Sequence, residues 1–331
     1  MTLRPDLFII GAPKSGTTSL YEYLIGHPGV YMSPVKEPFY FAPDVVTGPR
    51  RRSFRYGVDE QRYLDLFVNA RDEVRVGEAS TGYMISERAA SLVRQFRPDA
   101  RVIAMVRNPI DVIHALHNER VSHGVEDITE FESALAVDVD RRAGRRLPEG
   151  SSPLGAVYLD CGRFGEQLGR WLDELGRDRV HIVVFEDFAA DTAGSFRGVL
   201  EFLDVDPEYQ PTSFALHNPS HRMRGGILGR IRRARVGRTA RRLAPRLIGE
   251  NRAFRWARQI RHSRLARRRG PLSPISTELR IQLEETLRPD VVQLSEIVGR
   301  DLAAMWFRRS EDNLGVDTDE NDHTQSGIET P

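Results

Sequence analysis

With 331 residues, 40% apolar and 29% charged, the chain has a globular composition and the length for one large core or two smaller ones. A net charge of +1 excludes a uniformly basic or acidic protein, and a single cysteine, Cys161, excludes an intrachain disulfide or a cysteine-built metal cluster. Cysteine usage fits a reducing compartment, and no apolar run reaches the length of a signal-peptide core or membrane span, so a cytoplasmic location without a transmembrane segment is expected.

In chain order, Leu7 to Ile10 is a continuous apolar run that predicts a buried parallel strand. A helix is expected from Ser15 to Gly26, a turn at His27-Pro28-Gly29, and a short strand at Val30 to Met32. Residues 43–57 read as a Pro/Gly/Arg-rich loop, 63–68 as helical, Val74 to Gly77 as a strand and Ser86 to Phe96 as a helix. Val102 to Val106 is the cleanest strand, followed by a helix with Pro109 at its first position. Residues 141–153 read as a polar loop, 164–175 as an amphipathic helix, and Val180 to Phe185 as another buried strand. Glu186 and Asp187 stand at a helix start, and 196–203 and 278–306 have helical spacing. This alternation predicts an α/β fold with a mostly parallel central sheet flanked by helices, and a ligand site at the C-terminal ends of the strands.

Charge is unevenly spread. Between Arg222 and Arg269 there are eighteen arginines and one acid, Glu250; residues 310–331 hold seven acids and no lysine or arginine. One domain is therefore expected over 1–309, with 227–270 as an Arg-rich helical insertion or surface segment, and 310–331 as an acidic, disordered tail. The arginine block reads as a solvated face, as a surface for an anionic acceptor or lipid, or as a nucleic-acid site. Its only aromatics, Phe254 and Trp256, are too few for single-strand stacking, so no nucleic-acid partner is expected.

Of 48 basic residues only Lys14 and Lys36 are lysines. An ammonium fits beside one oxygen atom, where arginine presents a broad fork. Lys14 lies in Gly11-Ala12-Pro13-Lys14-Ser15-Gly16-Thr17-Thr18, a glycine-bearing loop between strand and helix that suits a phosphate or sulfate group. The string nearly matches the nucleotide-triphosphate loop G-x-x-x-x-G-K-[ST], but Thr17 occupies the lysine position. That departure counts against a P-loop kinase or ATPase, which stays as an alternative beside a non-enzymatic anion- or nucleic-acid-binding protein. The backbone N–H groups of Ser15, Gly16, Thr17 and Thr18 and the two threonine hydroxyls are candidates to hold a 5′-phosphate.

Residues 13–20 resemble the 5′-phosphosulfate motif of sulfotransferases that use 3′-phosphoadenosine 5′-phosphosulfate (PAPS). Arg107-Asn108-Pro109-Ile110-Asp111 resembles their 3′-phosphate motif, in which a strand-end arginine grips two oxygens. The family's serine eight residues on is Ala115 here; His114 or Asn118 is one replacement, and the simpler reading is that Arg107 and other residues suffice. Ser33-Pro34-Val35-Lys36-Glu37-Pro38-Phe39-Tyr40-Phe41 resembles the lysine-glutamate-aromatic segment of heparan-type and related bacterial members, whose glutamate is the proposed general base. Phe39 stands where that group has histidine. Glu78-Ala79-Ser80-Thr81 resembles the family's Glu-Lys-Ser-Pro, which makes Glu78 the alternative base, ranked below Glu37; Ser80 and Tyr83 are read as lining the acceptor cleft, with a core position for Tyr83 as an equal alternative. Tyr158, Arg163 and Trp171 echo a later family segment, with Trp171 read as packing and Asp187 as a helix cap; residues 217–224, Arg222 and Arg224 included, echo the loop that closes over the nucleotide. The resemblance implies a P-loop-like fold and sulfuryl transfer from PAPS, without a metal, to a hydroxyl, or secondarily an amine, of a carbohydrate, glycolipid or secondary metabolite. Lys14 and Glu37 are the implied catalytic residues, and Lys14, Ser15, Gly16, Thr17, Thr18, Arg107 and Arg222 the implied nucleotide ligands.

Overall fold

The computed structural model describes residues 4–45, 59–148, 151–214 and 274–307, and the backbone of two short strands at 222–223 and 269–270. Five strands form one parallel sheet: β1 (Leu7–Gly11), β2 (Val30–Met32), β3 (Arg75–Ala79), β4 (Arg101–Val106) and β5 (Val180–Val184), in the order β2-β3-β1-β4-β5. β1 is central, with Leu7 beside Gly77 on one flank and Arg101 on the other.

Side chains alternate across a strand, so a sheet covered on both faces needs apolar residues at every position. β1 supplies them: Phe8 and Ile10 enter one core, Leu7 and Ile9 the other. β4 divides likewise, with Val102, Ala104 and Val106 on one face and Ile103 and Met105 on the opposite. The second face is closed by the Thr17–Ile25 and Thr192–Phe202 helices through Leu20, Leu24, Phe196 and Leu200. The first is closed by the Ala89–Phe96, Pro109–Ser122, Phe164–Leu175 and Thr277–Val298 helices. On the last of these, Leu283, Leu287, Val291 and Leu294 recur at helical spacing and pack with the Phe164–Leu175 helix around buried Trp171. Asp290 crosses between the two, accepting the Gly165 and Glu166 N–H groups at 2.9 Å each and so capping the shorter helix.

The expected strands and helices are present, with shifted ends. The 63–68 segment is a Glu60–Leu64 helix continued by a tighter turn at Asp65–Phe67. The C-terminal helical stretch breaks at Gly299, φ 74°, into Thr277–Val298 and Leu302–Trp306. The polar loop expected from 141 is corrected at its start. Asp138–Arg142 is helical, and Arg141 is fully buried, 2.9 Å from Glu126 and 3.2 Å from the Ala156 carbonyl. Tyr158 also donates to Glu126 at 2.9 Å, so this arginine fills an internal cluster. Burial pushes the Glu126 carboxyl up, but hydrogen bonds from Arg141, the Ile128 N–H and Tyr158 pull it below its ordinary value.

Arg222–Met223 pairs antiparallel with Arg269–Gly270, and its backbone lies beside the Pro109–Ser122 helix. The Arg222 side chain, the rest of the arginine block and the tail after 307 lie outside the described residues. Among the described residues, no helix is long and apolar enough to cross a membrane.

Candidate active site

The loops leaving β1, β2, β3 and β4 converge at one end of the sheet. The β1 loop is pinned by the Ala12 N–H, which donates to the Met105 carbonyl of β4 at 2.6 Å. It then turns through Lys14 at φ 66° and Gly16 at φ 91°. Gly16 is required on two counts: its φ is left-handed, and a Cβ there would lie 3.2 Å from both Met105 Cε and Phe185 Cδ2. The helix that follows starts at Thr17 with no side chain capping it. Its first N–H groups point out of the helix end, the arrangement that favours an anion. Ser15 is fully buried and its hydroxyl has no hydrogen-bond partner among the described residues. An uncapped helix start, an unpartnered buried hydroxyl and a cradle that a Cβ would fill all fit a phosphate group.

The cations gather around this loop. Lys36 Nζ donates to Thr18 Oγ1 at 2.7 Å, joining the β2 loop to the helix start. Burial pulls the Lys36 ammonium below its ordinary pKa, and the charges of Glu37 and Glu119 oppose that. Lys14, its side chain 16% exposed, places Nζ 3.9 Å from Glu119 Oε2 on the Pro109–Ser122 helix. Arg107, at the end of β4, donates from Nη1 to the Lys14 carbonyl at 3.4 Å and stacks its guanidinium 4.7 Å from the centre of the Phe185 ring. Its Nη2 is 3.8 Å from Asp111. One face of Arg107 is thus fixed against the loop while most of its donors keep their capacity for an anion.

Glu37 follows Lys36 at φ 63°. Its N–H donates to the Ala79 carbonyl at 2.8 Å, and its carboxylate accepts from the Thr81 N–H at 2.9 Å and the Thr81 hydroxyl at 3.1 Å. Burial raises its pKa, against the opposing effects of Lys36 and of the two Thr81 hydrogen bonds. Such a carboxylate is a better proton acceptor than an exposed one.

Glu78 is in a different situation. It is fully buried beneath the β3 end and accepts from Ser80 at 2.8 Å, Tyr63 at 3.1 Å and Tyr83. Burial raises its pKa to about 7 in spite of these donors. Ser80 and Tyr83 are also fully buried with their hydroxyls turned inward to Glu78, so the cleft reading is corrected for Ser80, and Tyr83 takes the core position that was its alternative. His114 and Asn118, weighed for the place of the serine missing at Ala115, make contacts within their own surroundings. His114 is buried against Phe131, and Asn118 Nδ2 donates to the His114 carbonyl at 2.9 Å. Trp171 packs in the core, whereas Asp187 pairs with Arg300 instead of capping its helix. Residues 217–221 and 224 lie outside the described residues.

Sequence reasoning missed two participants. Thr81 was read only as a departure from the family's proline, yet it holds Glu37 through both its N–H and its hydroxyl. Glu119 carries no motif; its signal is its position one helical turn beyond Ala115, on the same side of the helix.

The Sulfotransferase domain model matches residues 4–218, and the chain belongs to this family. A carbohydrate sulfotransferase 15 from Homo sapiens is 27% identical over 253 residues, covering 61% of this chain and 44% of that protein. A Homo sapiens bifunctional heparan sulfate N-deacetylase/N-sulfotransferase 3 is 27% identical over 66% of this chain and 24% of that protein. The chain thus spans less than half the length of these relatives. Among solved structures, a sulfotransferase from Alicyclobacillus acidocaldarius superposes with a TM-score of 0.67 at 28% identity, covering 92% of this chain and all of that one.

Proposed function

We propose that the chain transfers a sulfuryl group from PAPS to a hydroxyl, with an amine as second choice, of a carbohydrate-type acceptor, glycolipid or secondary metabolite. The observation that carries this reading is the meeting of the Lys14 loop and the Lys36-Glu37 loop at one uncapped helix start, joined by the Lys36–Thr18 hydrogen bond. The carbohydrate class rests on the names of the two human relatives. A cytoplasmic setting rests on the single cysteine.

The residues divide the work by chemistry. Ser15, Gly16, Thr17 and Thr18 would hold the 5′-phosphate through backbone N–H groups and hydroxyls, and Arg107 the 3′-phosphate through its fork. Arg222 is retained as a nucleotide ligand on the strength of its sequence context alone. When bound, PAPS supplies the activated sulfuryl group. Lys14 would offer its compact ammonium to the negative charge that develops on the leaving PAP phosphate oxygen, and such a charge counts for most in a partly dry cleft. Glu37 takes the acceptor proton, and Thr81 keeps its carboxylate oriented. Lys36, held on Thr18, ties this base to the phosphate loop. Positioning and charge carry the rate, as in phosphoryl transfer.

Calorimetry with 3′-phosphoadenosine 5′-phosphate (PAP) and with ATP tests the nucleotide assignment. PAP is expected to bind more tightly, and tighter ATP binding with magnesium-dependent turnover would favour a kinase instead. Radiolabelled PAPS offered to a panel of neutral and anionic glycans tests the acceptor. Lys14→Ala should lower kcat far more than PAP affinity; equal losses would limit Lys14 to ground-state binding.

A further inference from the structure

We infer that Glu119 is a positioning residue for Lys14: its carboxylate holds the ammonium at the cleft and competes for it with the anionic nucleotide. The inference rests on the nucleotide reading above and deepens it. Three observations carry it. Glu119 Oε2 is 3.9 Å from Lys14 Nζ, and the two side chains are 41% and 16% exposed, so the pair sits at the mouth of the site, neither in bulk solvent nor in the core. The same carboxylate acts electrostatically on Lys36 and Glu37, which places it in the cluster that would meet the reacting groups. The neighbouring Arg120 turns away from this cluster, its guanidinium 5.1 Å from the Tyr158 ring centre.

The physical consequence follows from charge. An ammonium on a loop with left-handed backbone at φ 66° has several rotamers open to it, and an acid four ångströms away selects among them. A nucleotide anion needs the same ammonium, so each must displace the other in part. The helix carrying Glu119 starts two residues after Arg107, so the strand end and the helix that follows it present a cation for the 3′-phosphate and a carboxylate that restrains the loop lysine. Position 115, one turn earlier, is alanine and has no polar group to offer Lys14. Glu119, one turn further on, is the acid that reaches Lys14.

The test is a double-mutant cycle on PAP affinity by calorimetry at low salt. Glu119→Gln should tighten PAP about two- to fivefold, the range expected for a partly exposed ion pair. The gain should shrink with added salt. In a Lys14→Ala background the same substitution should change affinity by little. Unchanged or weaker binding in Glu119→Gln would overturn the inference. So would a gain that persists undiminished without Lys14, which would mean general repulsion between an acid and an anion. Loss of PAP binding by the unaltered chain would instead refute the nucleotide reading on which this rests. A second readout does not need ligand. The chain has two lysines, so lysine-labelled protein gives two side-chain ammonium signals. Glu119→Asp, which keeps the charge on a shorter stem, should move the Lys14 signal more than the Lys36 signal, and equal or absent movement would count against the pairing.

Discussion

Glu78→Gln should stabilise the protein above neutral pH and flatten its pH dependence. In the fold the Glu78 carboxyl is raised from 4.5 to about 7 by complete burial, which outweighs the hydrogen bonds from Tyr83, Ser80 and Tyr63. The sign follows from proton counting. Between 4.5 and about 7 the unfolded chain has released this proton while the folded chain keeps it, so stability falls as pH rises through that window and levels off above it. At about 1.4 kcal/mol per tenfold change in the proton equilibrium, the full cost is on the order of 3 kcal/mol. Replacing the acid by an amide of the same shape removes the proton release and leaves one oxygen that still accepts from the Tyr63 and Tyr83 hydroxyls, while its NH2 group donates toward Ser80. Urea denaturation of both proteins from pH 5 to 8.5 measures it: the wild-type midpoint should fall across the window by more than the variant's. Parallel curves would mean that Glu78 titrates as an ordinary carboxylate and is not sealed beneath β3. Burial of this kind also removes Glu78 as a competitor for the role of base.

Three further outcomes follow from the same geometry. Glu37→Gln should lower kcat by about 10²- to 10⁴-fold, the usual worth of a general base, while PAP affinity stays within a few-fold; the acid limb of the wild-type kcat/KM profile should lie above 4.5 and vanish in the variant. Gly16→Ala should cost about 1–2 kcal/mol in stability, because alanine resists a φ of 91° and its Cβ would press on Met105 and Phe185; PAP binding, read by calorimetry, should weaken with it. Arg141→Met should destabilise by about 3–5 kcal/mol in urea, since it leaves Glu126 buried without its cation, and adding Glu126→Gln should restore part of the loss.

The sheet was legible in the sequence because its strands are short and mostly apolar, the pattern that two covered faces demand, although Arg75 and Arg101 open β3 and β4, and Glu78 and His181 interrupt β3 and β5. Lys14 and Lys36 stood out because arginine fills nearly every other cationic position. What escaped were meetings between distant segments. Arg141 opens the stretch that reads as a polar loop, and only the fold brings Glu126 and Tyr158 around it. Glu119 lies twelve positions beyond Arg107 on a helix whose orientation depends on how Asn108 ties the β4 end to the Trp306 carbonyl, 3.1 Å away. Local patterns do not encode such contacts. Ser80 was placed in the cleft, but the chain turns just past the end of β3 and sends its hydroxyl, like that of Tyr83, inward to Glu78.

That misplacement explains how the candidate base is held. The Phe39 N–H donates to Ser80 Oγ at 3.2 Å, and Ser80 donates to Glu78 at 2.8 Å. Next to it, Thr81 holds the Glu37 carboxylate, and the Glu37 N–H is anchored on Ala79. Glu37 and Phe39 both have left-handed backbone, at φ 63° and 56°, and the Phe39 ring lies so close to Gly82 that a Cβ there would come within 2.4 Å of it. Left-handed backbone at two non-glycine residues is unfavourable and persists only where neighbours fix it. The β3 end is therefore a mould for the Glu37 hook, and Glu78 is its buried anchor. Disturbing the anchor should reach the chemistry second-hand: Ser80→Ala should lower kcat by a modest factor, on the order of tenfold, and displace the acid limb of the pH profile, whereas Glu37→Gln removes that limb altogether. A Ser80→Ala enzyme with full kcat and an unmoved profile would show that the hook stands without its mould.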